Sequence, residues 1–156
     1  HWTSLYQRTQ DGDQVMIQEI YPLEAKDYRL AGSISSAIKK KARLAQLEDA
    51  LIRRISIACY EAEINMIIHS MGGSVTYTQD EEEIRIVFKD RGPGIQDIPL
   101  AMKPGYSTAD VIAQSMGLGA GLGLSNIQKN ADTFSLDSNE QGTTLSMSFK
   151  LKGSQI

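Results

Sequence analysis

The chain has 156 residues, 41% of them apolar and 22% charged, with a net charge of −3 at neutral pH. That length makes a single domain with a real hydrophobic core, and the slight acidity argues against a polyanion such as DNA as a direct partner. No run approaches the roughly 20 apolar residues of a membrane helix, no signal-peptide pattern opens the chain, and the lone Cys59 leaves no disulfide framework or cysteine metal cluster; a cytoplasmic protein is expected.

Residues 1–11 are polar and irregular and read as a frayed start, with no role for His1. From Gln14 to Leu23 the chain is rich in Val, Ile and Tyr and closes on Pro22, which predicts an edge strand. A helix is expected from Leu30 to about Gln46; its Lys39, Lys40, Lys41 and Arg43 cluster reads as a solvated face or as part of a partner-docking surface. A second helix, roughly Leu47 to Met71, carries an apolar stripe at Leu51, Ile55, Ala58, Ala62 and Met66, and Gly72 and Gly73 stop it.

Strands Ser74–Gln79 and Ile84–Lys89 follow, joined by the acidic turn from Asp80 to Glu83. The second alternates Ile84, Ile86 and Phe88 with Arg85, Val87 and Lys89, the period of a sheet with one covered face. Between Pro93 and Met116 runs a long segment of weak periodicity, the kind of loop that serves function or lacks order. A helix from about Gly121 to Asn130 precedes strands Thr133–Ser138 and Thr143–Leu151. The order predicts an α+β fold: a two-layer α/β sandwich whose mixed, mainly antiparallel sheet carries its helices on one face.

Three patterns in this frame carry chemistry. Glu61, Asn65 and His69 stand four residues apart and so stack along one helical face. Asn65 has an oxygen to offer Mg²⁺, a hard cation that favours oxygen ligands and triphosphates, and Glu61 is placed to act as a base; an ordinary exposed helix face is the other reading. His69 reads as a structural hydrogen-bonding residue rather than a ligand. Next, Asp90-Arg-Gly92-Pro-Gly94-Ile95 puts a carboxylate at a strand end, before glycines that let the backbone approach a flat ring. Such an acid accepts the exocyclic amino hydrogen of adenine, which guanine lacks there, although the same sequence also makes a common turn. Third, Gly117, Gly119, Gly121 and Gly123, interleaved with Leu118, Ala120 and Leu122, open a helix, where free amides and the helix dipole cradle phosphate. No Lys-Ser or Lys-Thr follows, which excludes a Walker A loop, and the preceding segment is no strand, which disfavours a Rossmann fingerprint.

In this order the three patterns resemble the boxes of the gyrase and histidine-kinase type ATPase superfamily, with its Bergerat nucleotide-binding fold. The N box is Glu61-x-x-x-Asn65-x-x-x-His69, the first glycine box Asp90-x-Gly92-x-Gly94-Ile95, and the second Gly117 to Gly123; Gly142-Thr143-Thr144 resembles the closing Gly-Thr motif. Chain length, the form of the N box and the segment Gly105-Tyr-Ser-Thr108 resemble the bacterial anti-sigma factor and switch-protein serine kinases in particular.

The resemblance implies an enzyme that transfers the ATP γ-phosphate to a serine of an antagonist or sigma-factor-like regulatory protein, with ATP and Mg²⁺ as cofactors. Carried over by position, Glu61 is the general base and Asn65 the metal ligand. Asp90, Gly92, Gly94, Ile95 and Thr143 hold adenine, Gly117 through Gly123 hold phosphates, and Ser107 and Thr108 sit in a lid formed by residues 93–116. A homodimer is one arrangement in keeping with the family, the first strand being an edge available for pairing. The lid carries Lys103 but no arginine, a departure that leaves γ-phosphate charge to Lys103, the metal or the partner. Two readings compete: a non-catalytic, ATP-sensing module that sequesters a transcription or signalling partner, and a histidine-kinase catalytic domain excised from a longer chain.

Overall fold

A computed structural model describes residues 3–8, 15–95, 98–103 and 123–151, with side chains from residue 17 onward. Its elements in chain order are strands β1 (Thr3–Arg8) and β2 (Val15–Leu23), a 3₁₀ turn at Tyr28–Leu30, helices α1 (Ser33–Leu44) and α2 (Asp49–His69), strands β3 (Gly73–Gln79) and β4 (Glu83–Asp90), the single turn α3 (Ile98–Ala101), helix α4 (Gly123–Asn130), and strands β5 (Thr133–Asn139) and β6 (Gly142–Lys150). The strands form one sheet in the order β1-β2-β3-β4-β6-β5.

Every described strand pair is antiparallel, so the expected mixed sheet is antiparallel throughout the described residues. Alternation fixes the register. Ile84, Ile86 and Phe88 of β4 lie opposite Phe149, Met147 and Leu145 of β6, all six buried. Val75 and Tyr77 of β3 extend that face on the other side of β4, opposite Phe88 and Ile86. Ile38 of α1, Ile55, Ala58, Ala62 and Met66 of α2, and Ile127 of α4 cover it, so the apolar stripe expected of α2 is the one the sheet receives. The helices therefore sit on one face, and the other presents Thr76, Thr78, Val87, Thr144 and Ser146, each half-buried.

Two sequence expectations change. Residues 3–8, expected to be irregular, pair with β2 from Thr3 opposite Ile20 to Arg8 opposite Val15. β2 is consequently an inner strand over most of its length rather than an edge. Pro22 fits because it lies beyond Ile20, the last residue of β2 that β1 meets. The first helix, in turn, starts not at Leu30 but at Ser33, because Gly32 adopts a left-handed φ of 92° and breaks the preceding 3₁₀ turn away from α1.

Gly32 has no side chain to cap the helix it precedes, and α2 supplies the cap instead. The Glu63 carboxylate, 1% exposed, accepts the amides of Gly32 (3.1 Å), Ile34 (3.2 Å) and Ser35 (2.9 Å). Burial pushes this carboxyl above its ordinary value, and the amides of Ser35, Ile34 and Gly32 draw it part of the way back. The basic cluster on α1 also divides: Lys40 and Arg43 are exposed, whereas Lys41 pairs with Glu19 of β2 at 2.5 Å and lies 5.4 Å from the centre of the Tyr77 ring.

Glu63 should carry much of the α1–α2 packing. Glu63→Ala leaves three amides at the start of α1 without an acceptor, and chemical unfolding at neutral pH is expected to show a loss of about 3 kcal/mol. A loss below about 1 kcal/mol would mean that α1 is held by its apolar face alone.

Candidate functional site

The C-terminal end of α2 organises the site. Ser70 ends the helix by returning its hydroxyl to the Met66 carbonyl (2.6 Å) and accepting the Gly72 amide (3.0 Å). Gly72 turns with a φ of 91°, and a side chain there would stand 2.9 Å from the Leu23 carbonyl. The chain leaving α2 then bonds the residue after Asp90 twice, Met71 N–H to the Arg91 carbonyl (3.1 Å) and Arg91 N–H to the Gly72 carbonyl (2.9 Å). The end of the helix bearing Glu61 and Asn65 is thereby fixed to the loop that begins at Asp90.

Asp90 closes β4. Its Oδ1 accepts the backbone N–H of Thr143 at 2.9 Å, and among the described residues its Oδ2 takes no hydrogen bond. Burial pushes the Asp90 carboxyl above the ordinary aspartate value, against the opposing pull of the Thr143 amide. Thr143 is buried and shares a 2.7 Å hydroxyl contact with Ser138, whose Oγ accepts the Ile95 amide, also at 2.7 Å. Asp90, Thr143, Ser138 and Ile95 thus form one chain of polar contacts from the end of β4 through the β5–β6 turn to the far side of the glycine loop.

The glycines are there because two stretches of backbone touch. A Cβ on Gly92 would stand 2.4 Å from the Glu140 carbonyl, and one on Gly94 would stand 2.0 Å from the Asn139 carbonyl. Gly94 also has a φ of 87°. The Gly92 amide donates to the Gln141 carbonyl at 2.7 Å, which seals the loop to the turn. The sequence pattern predicts that these glycines approach a ring; in the described residues the surface they approach most closely is the β5–β6 turn.

The second cluster lies where α2 meets α4. Gly123 packs on the Asn65 side chain, so that an added Cβ would stand 2.8 Å from Nδ2 and 3.0 Å from Oδ1. Three residues on, Asn126 directs its amide toward Glu61, with Nδ2 3.5 Å from Oε1. Glu61 and Asn65 are both half-buried, whereas His69 is exposed and outside this contact. The structure therefore brings Glu61, Asn65 and Gly123 together in one group along the C-terminal half of α2, and Asp90, Gly92, Gly94, Ile95 and Thr143 in another beside the residues that follow the helix.

Ser107, Thr108, Gly117, Leu118, Gly119, Ala120, Gly121 and Leu122 lie outside the described residues, as does most of the expected lid. Lys103 is described and exposed. Ser138 and Asn126 join these groups outside the sequence motifs. For Ser138 the available signal was its position facing Thr143 across a tight turn; for Asn126 it was its place one turn past Gly123. Among the described residues no three His, Cys, Asp or Glu side chains gather as a metal site.

The chain matches the histidine kinase-like ATPase domain over residues 23–149. It is 35% identical over 89 residues to the serine/threonine-protein kinase RsbT of Bacillus subtilis (strain 168), a stretch covering 54% of this chain and 61% of that relative. It is 32% identical over 118 residues to the anti-sigma F factor of Clostridium novyi (strain NT), covering 70% of this chain and 79% of the relative. Against the anti-sigma F factor of Bacillus licheniformis the identity is 28% over 121 residues, covering 72% and 80%.

The two glycine contacts differ in what an added methyl group would strike. Gly94→Ala puts it into backbone at a left-handed φ and is expected to cost more than about 2 kcal/mol of stability. Gly123→Ala meets a side chain that can swing aside, and its cost in the same thermal unfolding experiment should be visibly smaller. Equal effects would contradict the backbone-on-backbone contact.

Proposed function

The chain belongs to the histidine kinase-like ATPase family, and we propose that it is an ATP-binding regulatory protein-serine kinase that transfers the γ-phosphate to a serine of a partner regulatory protein. The observation that carries this reading is the α2–α4 contact, in which Glu61 and Asn65 face the residues that open α4. A module that only binds nucleotide has no need of a carboxylate at that place.

The roles follow from the chemistry of each group. Asp90 accepts the adenine amino hydrogen through the oxygen not engaged by Thr143, and Ile95 and Thr143 wall that end together with Gly92 and Gly94. Asn65 offers its side-chain oxygen to Mg²⁺, and the glycine-rich stretch Gly117–Gly123 holds phosphates through backbone amides and the positive end of α4. Asn65 would hold the metal, which would supply positive charge to offset the triphosphate. Glu61 removes the proton of the attacking serine hydroxyl as the oxygen bonds to the γ-phosphorus and the bond to the β-phosphate oxygen breaks. Residues 93–116 form the lid over the nucleotide, with Ser107 and Thr108 near its ribose and phosphates, and residues 1–156 act as one domain.

The partner is a regulatory protein that presents a serine. This reading is supported by the identity of the relatives, a serine/threonine-protein kinase and two anti-sigma F factors. No helix among the described residues is long and apolar enough to cross a membrane.

Two variants test the reading. Glu61→Gln should bind ATP within about twofold of wild type but lose phosphotransfer to the partner by about a hundredfold or more, the scale of a lost general base. Transfer at the wild-type rate would remove Glu61 from catalysis and favour the ATP-sensing alternative. Burial holds the Asp90 carboxyl above an ordinary aspartate, and protonation turns one of its two acceptor oxygens into a hydroxyl donor while Thr143 already occupies the other. ATP affinity should therefore fall on acidification sooner than an unperturbed carboxyl, near pH 3.9, would allow. Asp90→Asn should bind ATP weakly at every pH, with a flat profile in calorimetry; wild-type affinity in this variant would remove Asp90 from the nucleotide site.

A further inference from the structure

We propose that Arg54, 11 residues before Asn65 and outside both clusters, is a positioning residue that sets the register of α4 against α2 and with it the phosphate end of the site; this rests on the reading of the site as an ATP site. The guanidinium reaches the far end of α4. Its Nε donates to the Asn130 carbonyl at 2.9 Å and its terminal nitrogen donates to Asp132 Oδ1 at 2.8 Å, while the group lies 5.9 Å from the centre of the Phe149 ring. Asp132 Oδ2 accepts the Lys150 amide at 2.7 Å, so the same carboxylate anchors the clasp to β6. Burial alone would push the Asp132 carboxyl up, but the Lys150 amide and the Arg54 guanidinium hold it below the ordinary value.

Arg54, Glu61 and Asn65 lie on one side of α2, and their partners run in the opposite order along α4: Asn130, Asn126 and Gly123. The two helices are therefore antiparallel, joined by one polar seam whose last contact places Gly123 on Asn65. The eleven residues from Arg54 to Asn65 rise about 16 Å, and the seven from Gly123 to Asn130 about 10 Å. A long side chain has to bridge the difference, and a planar fork does so at a fixed angle, holding a carbonyl and a carboxylate together.

Stability does not explain the clasp. The Arg54 and Asp132 side chains are 37% and 30% exposed, and an ion pair in that setting adds little to folding. What the contact does fix is where a short helix, eight residues long, ends. Because α4 is short, a shift at Asn130 is carried along its axis to Gly123 and Asn126. The adenine group has its own anchor in the Asp90–Thr143 bond and does not share this constraint.

The test is calorimetric titration of the full chain with Mg-ATP and with AMP, alongside melting temperature. Arg54→Ala should weaken ATP about tenfold while AMP stays within about twofold, because only the longer ligand extends to the α4 end. Arg54→Lys, which keeps the charge but not the fork, should show the same selective loss to a smaller degree. Should Arg54→Ala not fold, Asp132→Asn removes half of the clasp and should again weaken ATP more than AMP. Parallel loss of both ligands, or unchanged ATP affinity, overturns the positioning role. Asp90→Asn, which should weaken both ligands alike, keeps the two readings apart. Wild-type protein that binds neither ligand overturns the nucleotide site and this role with it.

Discussion

The bond from the Thr143 amide to Asp90 Oδ1 is the constraint on which the rest of the site depends. It joins the last residue of β4 to the second residue of β6, and among the described residues the other carboxylate oxygen takes no hydrogen bond. Holding that bond at 2.9 Å brings the loop after Asp90 onto the β5–β6 turn so closely that Gly92 and Gly94 have no room for a side chain. The carboxyl is lifted by burial yet held in place by the amide, which pulls it part of the way back.

Helix α2 divides its polar residues by direction. One side buries Ile55, Ala62 and Met66 on the sheet. Another sends Glu63 to cap α1. A third carries Arg54, Glu61 and Asn65 toward α4. Because neighbours contact the helix on three sides, burial extends beyond its sheet-facing stripe to Glu63, Ile64 and Ile68. The Glu63 cap ties α1 to the scaffold, and the polar seam does the same for α4.

Strand alternation made most of the sheet legible in the sequence: Ile84, Ile86 and Phe88, and Leu145, Met147 and Phe149, lie inward as their period of two requires. Fourfold spacing likewise placed Glu61 and Asn65 on one side of α2. The illegible parts have physical reasons. β1 is polar in composition, and its pairing with β2 is a matter of backbone hydrogen bonds that composition does not encode. Arg54 and Asp132 are 78 residues apart, and nothing local marks either as the other's partner. The break before α1 depends on one left-handed glycine together with a carboxylate 31 residues away. The glycines of the first box read as places where backbone approaches a flat ring, and nothing local marks the β5–β6 turn that they meet in the described residues.

The central claim is that Asp90 faces a nucleotide base and reads its amino group. Titration of the wild-type chain with Mg-ATP and Mg-GTP in parallel tests it most directly, because guanine carries a carbonyl oxygen where adenine carries the donor, and two acceptors would then face each other. The account predicts saturable ATP binding, with GTP weaker by at least about a hundredfold. Equal affinity for the two nucleotides, or binding of neither, would contradict it.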